Sequence, residues 1–218
     1  MKVWDSELLM AKKKPRPVTD GLLFWLDGQD ELFHYNNPTV DYKDYMYDRV
    51  YGHKAEFYGQ LLAHTENGFL VAELPSGASS GAYAINRNRF PVFFNDIRTV
   101  EYVPFKGHAI FVNGFGPANQ NWVFGANSWG MASIPISTFS DYMQLVGVMD
   151  ADRKPCIYYN GTLSATGQKN NGTLSGKPNI NFRWATSLGC VRLYNRVLSP
   201  EEIAQNLEYE VSIGRVVL

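Results

Sequence analysis

Short apolar stretches separated by turn residues run through most of the 218-residue chain, and the period changes once, near the C-terminus. Gly21-Leu22-Leu23-Phe24-Trp25-Leu26-Asp27-Gly28 is an apolar run closed by a turn signal, which predicts a strand buried on both faces. Shorter strands are predicted at 55–58, 68–74, 82–86, 99–104, 109–113 and 121–125. In 99–104, Val100, Tyr102 and Pro104 alternate with Thr99, Glu101 and Val103. Residues 29–46 are polar and tyrosine-rich and read as a long loop; 75–81 reads as a shorter one. The clearest hairpin pairs 145–149 with 156–159 across a turn at 150–155. Asn160-Gly161 demands positive φ and closes a second, tighter hairpin into 162–165.

Helical spacing replaces strand spacing after Val191-Arg192-Leu193-Tyr194-Asn195-Arg196-Val197-Leu198. Ser199 supplies an N-cap, Pro200 suits the first turn, and Glu202 completes a capping box. Ile203, Leu207 and Val211 then recur every four residues as one apolar stripe. Many short strands ending in one capped helix describe an all-β, two-sheet sandwich with one short C-terminal helix. The domain is assigned to residues 19–212, and residues 213–218 to a tail. Residues 1–18, with Lys12, Lys13, Lys14 and Arg16 set around Pro15 and Pro17, read as an extended basic arm, either a solvated tail or a tie between the domain and a larger assembly.

Composition narrows the classes. Hydrophobic residues make up 45% of the chain, enough for a sizeable core, and aromatics 14%, which favours strands. A net charge of −1 offers no basic face for nucleic acid and no attraction to anionic membrane. Neither Cys156 nor Cys190 has a Cys-x-x-Cys neighbour; both read as buried thiols, with a disulfide between them left open. The first residues carry Lys2, Asp5 and Glu7 without an apolar core, so no secretion signal is read and synthesis in a cytoplasm is expected.

Catalytic patterns are weak. Asp150 and Asp152 share strand alternation but fall in a predicted turn beside Arg153 and Lys154, where solvated turn residues are the better reading. Gly77-Ala78-Ser79-Ser80-Gly81 has the spacing of a nucleophile elbow without the flanking strand and helix. His34, His53, His64 and His108 show no metal spacing, and Asp27, Asp30, Asp41 and Asp44 match no calcium loop, so no cofactor is assigned. The richest binding surface runs from Asn113 to Gly130. Its Asn119, Asn121, Trp122, Asn127 and Trp129 combine amides with aromatic rings, a pairing that suits sugars; the alternative is that Trp122 and Trp129 are core residues and the asparagines only shape turns.

Four stretches resemble a known family. Gly21–Gly28, Asp48-Arg49-Val50-Tyr51-Gly52-His53-Lys54-Ala55, the hairpin closing on Tyr158-Tyr159-Asn160-Gly161, and Val191–Glu202 are similar, in that order, to segments of the concanavalin A-like lectin/glucanase superfamily in its laminin-G-like branch. The resemblance implies an antiparallel jelly-roll sandwich. It departs from many relatives at Ser187-Leu188-Gly189-Cys190, where acidic residues are common, which removes support for calcium. Relatives bind glycans, build particle surfaces or hydrolyse polysaccharides. The resemblance and the weak catalytic patterns lead to the expectation of a non-catalytic module of a phage virion, acting in assembly, adhesion or glycan binding. Its partners would be other virion proteins, further copies of itself or a cell-surface glycan. The alternatives are a stand-alone carbohydrate-binding module and a divergent glycoside hydrolase.

Overall fold

A computed structural model of the chain describes residues 15–27, 41–66, 69–73, 83–84, 89–106, 110–118, 121–126, 130–135, 137, 142–182 and 187–218. The strands are β1 (Leu22–Asp27), β2 (Asp41–Tyr47), β3 (Lys54–Glu66), β4 (Phe69–Glu73), β5 (Tyr83–Ala84), β6 (Phe94–Ile97), β7 (Thr99–Lys106), β8 (Ile110–Val112) and β9 (Phe115–Ala118). They continue as β10 (Asn121–Phe124), β11 (Ala132–Pro135), β12 (Leu145–Met149), β13 (Pro155–Tyr159), β14 (Thr162–Thr166), β15 (Leu174–Gly176), β16 (Ile180–Phe182) and β17 (Ser187–Tyr194), before helix α1 (Pro200–Ser212). The large sheet has nine strands in the order β14-β13-β12-β7-β17-β4-β3-β2, with β1 also paired to β17. The small sheet runs β11-β10-β9-β8-β16-β5, and β15 pairs β6 separately. Every pairing is antiparallel among the described residues, so the molecule is an all-β sandwich with one short C-terminal helix.

Strand alternation divides the structure into layers. Val100 and Tyr102 of β7, Leu145 and Met149 of β12, and Val191 and Leu193 of β17 face the small sheet and meet Phe115, Trp122, Phe124 and Ile180 in the main core. Gly147 lies among them because a Cβ there would stand 2.4 Å from the Phe124 ring. The opposite face of the large sheet is also covered. Val146, Val148, Tyr194 and Ile203 form one cluster there, and Val103, Cys190 and Val216 another. The central strands are therefore buried on both sides, which is why they read as near-continuous apolar runs.

That outer layer holds a chain of alternating charges. Glu101 of β7 accepts from Arg192 of β17 at 3.1 Å, and Arg192 donates to Glu210 of α1 at 2.5 Å. Glu210 pairs with Arg215 at 2.9 Å, Arg215 forks onto both oxygens of Asp27 in β1 at 3.0 and 3.2 Å, and Asp27 accepts from Arg49 at 2.6 Å. The two inner arginines and all three carboxylates are no more than 1% exposed, and the six formal charges cancel. Burial pushes the Arg192 guanidinium down, but the carboxylates of Glu101 and Glu210 against it outweigh burial and hold it well above its ordinary value. Trp25 lies between two guanidinium groups, 4.7 Å from Arg192 and 4.8 Å from Arg49. Amides complete the layer: Gln144 and Asn206 both donate to Glu101 at 2.8 Å.

Four expectations change. Residues 41–47 form β2 and not part of a loop, because they pair with β3 and Met46 fills the main core. The helix buries Ile203, Asn206 and Glu210; Leu207 is only half-buried and Val211 is exposed, because the sheet beneath presents Glu101 and Arg192. The segment 213–218 is not a loose tail, since Arg215 and Val216 are buried and Val217 N–H donates to the Tyr142 carbonyl. At the other terminus the arm gives way to the body before Thr19. Val18 is buried, its N–H donates to Asn206 at 2.7 Å and its carbonyl accepts from Tyr194, while the Arg16 carbonyl accepts from Gln205. Cys156 and Cys190 are both buried and unpaired, and burial raises both thiols.

The capping box forms as read. Glu202 N–H donates to Ser199 Oγ, Ser199 N–H donates back to Glu202, and Arg196 grips the same carboxylate at 2.6 and 2.7 Å. The hydrogen bond from Arg196 holds the Glu202 carboxyl below its usual range.

Two predictions follow from this layer. Glu210→Ala takes one of two carboxylate partners from each of the buried Arg192 and Arg215 and lowers stability by about 3–5 kcal/mol, read as the urea midpoint by tryptophan fluorescence, whereas Glu201→Ala, exposed in the first turn of the same helix, stays within about 1 kcal/mol. Because the folded pKa of Glu202 is depressed, its contribution is complete above the ordinary glutamate value and is lost as pH falls through the folded one. Glu202→Gln therefore destabilises at pH 7 by about 1 kcal/mol, with a shallower fall in stability towards pH 3.

Candidate functional site

The sequence Asn121-Trp122-Val123-Phe124 shows how the strand builds two surfaces at once. Trp122 and Phe124 are fully buried, while Asn121 and Val123 are half-buried on the other face. Trp122 stacks on Tyr102 with centroids 5.7 Å apart and meets Phe115 edge-on at 5.1 Å. It presents no ring to a ligand, so its assignment to a sugar contact is corrected: the period of two sends it to the core that Asn121 faces away from. Asn119, Asn127 and Trp129 lie outside the described residues, as do Lys12, Lys13 and Lys14 of the basic arm. Arg16 is exposed, with its carbonyl held by Gln205.

Asn121 and Val123 instead open onto a groove of about 560 Å3 where the edges of the two sheets meet. β10 and β11 supply one wall, with Asn121, Val123 and Ser133; Thr166 at the end of β14, followed by Gly167 and Gln168, supplies the other. The walls cross at two glycines. A Cβ on Gly167 would lie 2.1 Å from the Gly130 carbonyl, and Gly130 itself has φ +71°. Gln168 N–H donates to the Gly130 carbonyl at 2.9 Å, fixing the crossing.

The second wall is tied down along its length. Gly167 N–H donates to the Pro155 carbonyl at 2.7 Å and Asn170 N–H to the Arg153 carbonyl at 2.9 Å. Asn170 is buried, and its side chain accepts from Gly172 N–H at 2.8 Å. Backbone hydrogen bonds thus hold this wall against Gly130 and β13. Its described lining contains amides, hydroxyls and small apolar groups, with no carboxylate, imidazole, thiol, ammonium or guanidinium. Of the residues singled out from the sequence, Asn121 lines this groove; Ser133, Thr166 and Gln168 line it too and are not singled out there. The available signal was the outward alternation of β11 and β14, which places Ser133 and Thr166 on exposed positions.

Other candidates are accounted for structurally. Asp150 closes a turn, accepting from Lys154 N–H at 2.7 Å, and Asp152 is exposed on the same turn. Asp27 is bound to two arginines, so its oxygens are occupied by guanidinium donors. Among the described residues no three His, Cys, Asp or Glu side chains gather as a metal site. No helix of the described residues is long and apolar enough to cross a membrane.

Fold and groove together define a two-sheet antiparallel sandwich with a cleft at its seam whose described lining carries no charge. No protein-family model and no curated protein matches the chain. Among solved structures it is similar to Trypanosoma rangeli sialidase, at 16% identity and TM-score 0.47, over 95% of this chain and 37% of that one. The same sialidase in complex with sialic acid gives 17% identity and TM-score 0.48, over 94% and 37%. The binding domain of botulinum neurotoxin DC in complex with rat synaptotagmin II gives 11% and 0.43, over 88% and 52%. The chain thus spans between about a third and a half of these proteins. Likenesses this distant carry no argument about activity.

The two faces of β10 give a direct test. Trp122→Ala leaves a cavity beside Tyr102 and Phe115 and costs about 3–5 kcal/mol; Asn121→Ala, on the groove side, costs about 1 kcal/mol or less. Urea unfolding of the two variants checks the difference.

Proposed function

We propose that the chain is a non-catalytic module of a phage or bacterial particle surface, of the concanavalin A-like, laminin-G-like kind, and that it works by recognition or assembly. The observation that carries this reading is the groove whose described lining holds no ionisable side chain. General acid, general base and nucleophilic chemistry all need such a group within hydrogen-bond reach of the reacting atoms. The carboxylates of Glu101, Glu210 and Asp27 are buried and bound to arginine. The resemblance of residues 191–202 to the closing strand and helix of the laminin-G-like branch supports the family, since that stretch forms β17, the capping box and the start of α1. The docked segment 15–18 supports an arm leaving the body beside α1.

The groove also favours a second reading, a stand-alone carbohydrate-binding module. The two part on location. Density-gradient fractions from lysates of the producing cell, probed with antibody to the chain, are expected to carry it in the particle band. Recovery only as free protein would contradict the particle role and favour the second reading. Release of reducing sugar from neutral or sialylated oligosaccharides by the purified protein would contradict both.

A further inference from the structure

Four Asn-Gly pairs lie in the sequence, at 67–68, 113–114, 160–161 and 171–172. A glycine after asparagine leaves its backbone nitrogen uncrowded, so that nitrogen can attack the asparagine side chain. We propose that Asn171 is a self-modifying site, converted with water to aspartate and isoaspartate through a succinimide, while the fold holds Asn113 and Asn160 as asparagine. The pair 67–68 lies outside the described residues.

The chemistry sets a geometric demand. The glycine nitrogen gives up its proton and bonds to the asparagine Cγ. The side-chain nitrogen leaves with that proton as ammonia. Water then opens the five-membered ring: at the side-chain carbonyl it yields aspartate, at the main-chain carbonyl isoaspartate. One water enters, one ammonia leaves, and nothing is oxidised or reduced. The attack needs the following nitrogen close to Cγ and a side chain free to turn towards it.

Two of the described pairs do not meet that demand. Asn113-Gly114 and Asn160-Gly161 each close a two-residue hairpin, with φ of +39° and +84° in the first and +44° and +75° in the second. A left-handed residue, with ψ of roughly +47°, sets the next nitrogen anti to its own Cβ and so on the far side from Cγ. Both side chains are also tied. Asn113 Oδ1 accepts from Asn179 N–H at 2.9 Å, and Asn160 Oδ1 accepts from Gln144 N–H at 2.8 Å.

Asn171 differs on each count. It is exposed and lies outside the left-handed region, in the strap between β14 and β15 and not in a tight hairpin. Among the described residues no hydrogen bond ties its side chain. One restraint remains: Gly172 N–H donates to Asn170 Oδ1 at 2.8 Å. Attack must break that bond, so the folded protein reacts more slowly than its unfolded chain. The product changes the strap in turn. Isoaspartate adds one main-chain atom between Asn170 and Gly172, across which this hydrogen bond runs, and next to the Gly172 carbonyl that accepts from Arg153. Either product adds a negative charge at neutral pH.

The test incubates the full chain at pH 8.5 and 37 °C, folded and in urea, and follows its proteolytic peptides by mass spectrometry with fragmentation that separates isoaspartate from aspartate. In the folded protein Asn171 gains one mass unit, with both isomers present, about tenfold or more faster than Asn113 and Asn160, each of which must first give up a hydrogen bond and its turn. In urea that gap closes. Conversion of Asn113 or Asn160 as fast as Asn171 in the folded protein overturns the proposal. So does a folded Asn171 that stays intact while the urea sample converts. Aspartate without isoaspartate also overturns it, because direct hydrolysis by water gives aspartate alone. Gly172→Ala, at a φ that needs no glycine, is expected to suppress the conversion by crowding the nitrogen; an unchanged rate contradicts the cyclic route.

Discussion

Six alternating charges, Glu101, Arg192, Glu210, Arg215, Asp27 and Arg49, decide how the outer layer of this protein sits on its large sheet. Each inner member touches a partner of opposite sign on both sides. The line passes through β7, β17, α1, the C-terminal segment, β1 and the turn between β2 and β3. Six parts distant in sequence are thereby held by one set of contacts. Apolar burial stabilises without direction, so Ile203 and Val216 alone would let the helix and the C-terminal segment settle in more than one place. Buried charges allow only the arrangement in which all of them are paired, because a stranded one is costly.

The sandwich and the groove depend on this layer indirectly. β7 and β17 carry the main core on one face and Glu101, Arg192 and Tyr194 on the other. Fixing one face in register fixes the other, since a one-residue slip exchanges them. The same strands lead through β12 and β13 to β14, whose end forms a wall of the groove. Chemistry is segregated accordingly. The buried charges are paired within the fold, and the described lining of the cleft carries none.

The architecture was largely legible in the sequence because its signals are local. Ser199, Pro200 and Glu202 specify a helix start by hydrogen-bond geometry alone, and Asn160-Gly161 specifies a tight turn by positive φ, found at +44° and +75°. The expectations that failed depend on what lies across from a residue. Ile203, Leu207 and Val211 are evenly spaced, yet the buried face turns toward Asn206 and Glu210, because the neighbouring strands present charge. Residues 213–218 carry no periodic pattern, and their place follows from contacts distant in sequence, such as Arg215 to Asp27 and Val217 to Tyr142. At the site, adjacent Asn121 and Trp122 were grouped as one surface although a strand sends neighbours to opposite faces. Thr166 and Gln168 come from a different sheet edge, so no linear spacing could join them to Asn121.

Native-state hydrogen exchange measures the central constraint directly. If the charge line clamps both termini, the amides of Val18, Arg215 and Val217 exchange only through global unfolding, with the same free energy as Val191 and Leu193 in the middle of β17. Exchange of those terminal amides through a separate, lower-energy opening, while β17 stays protected, would contradict the account.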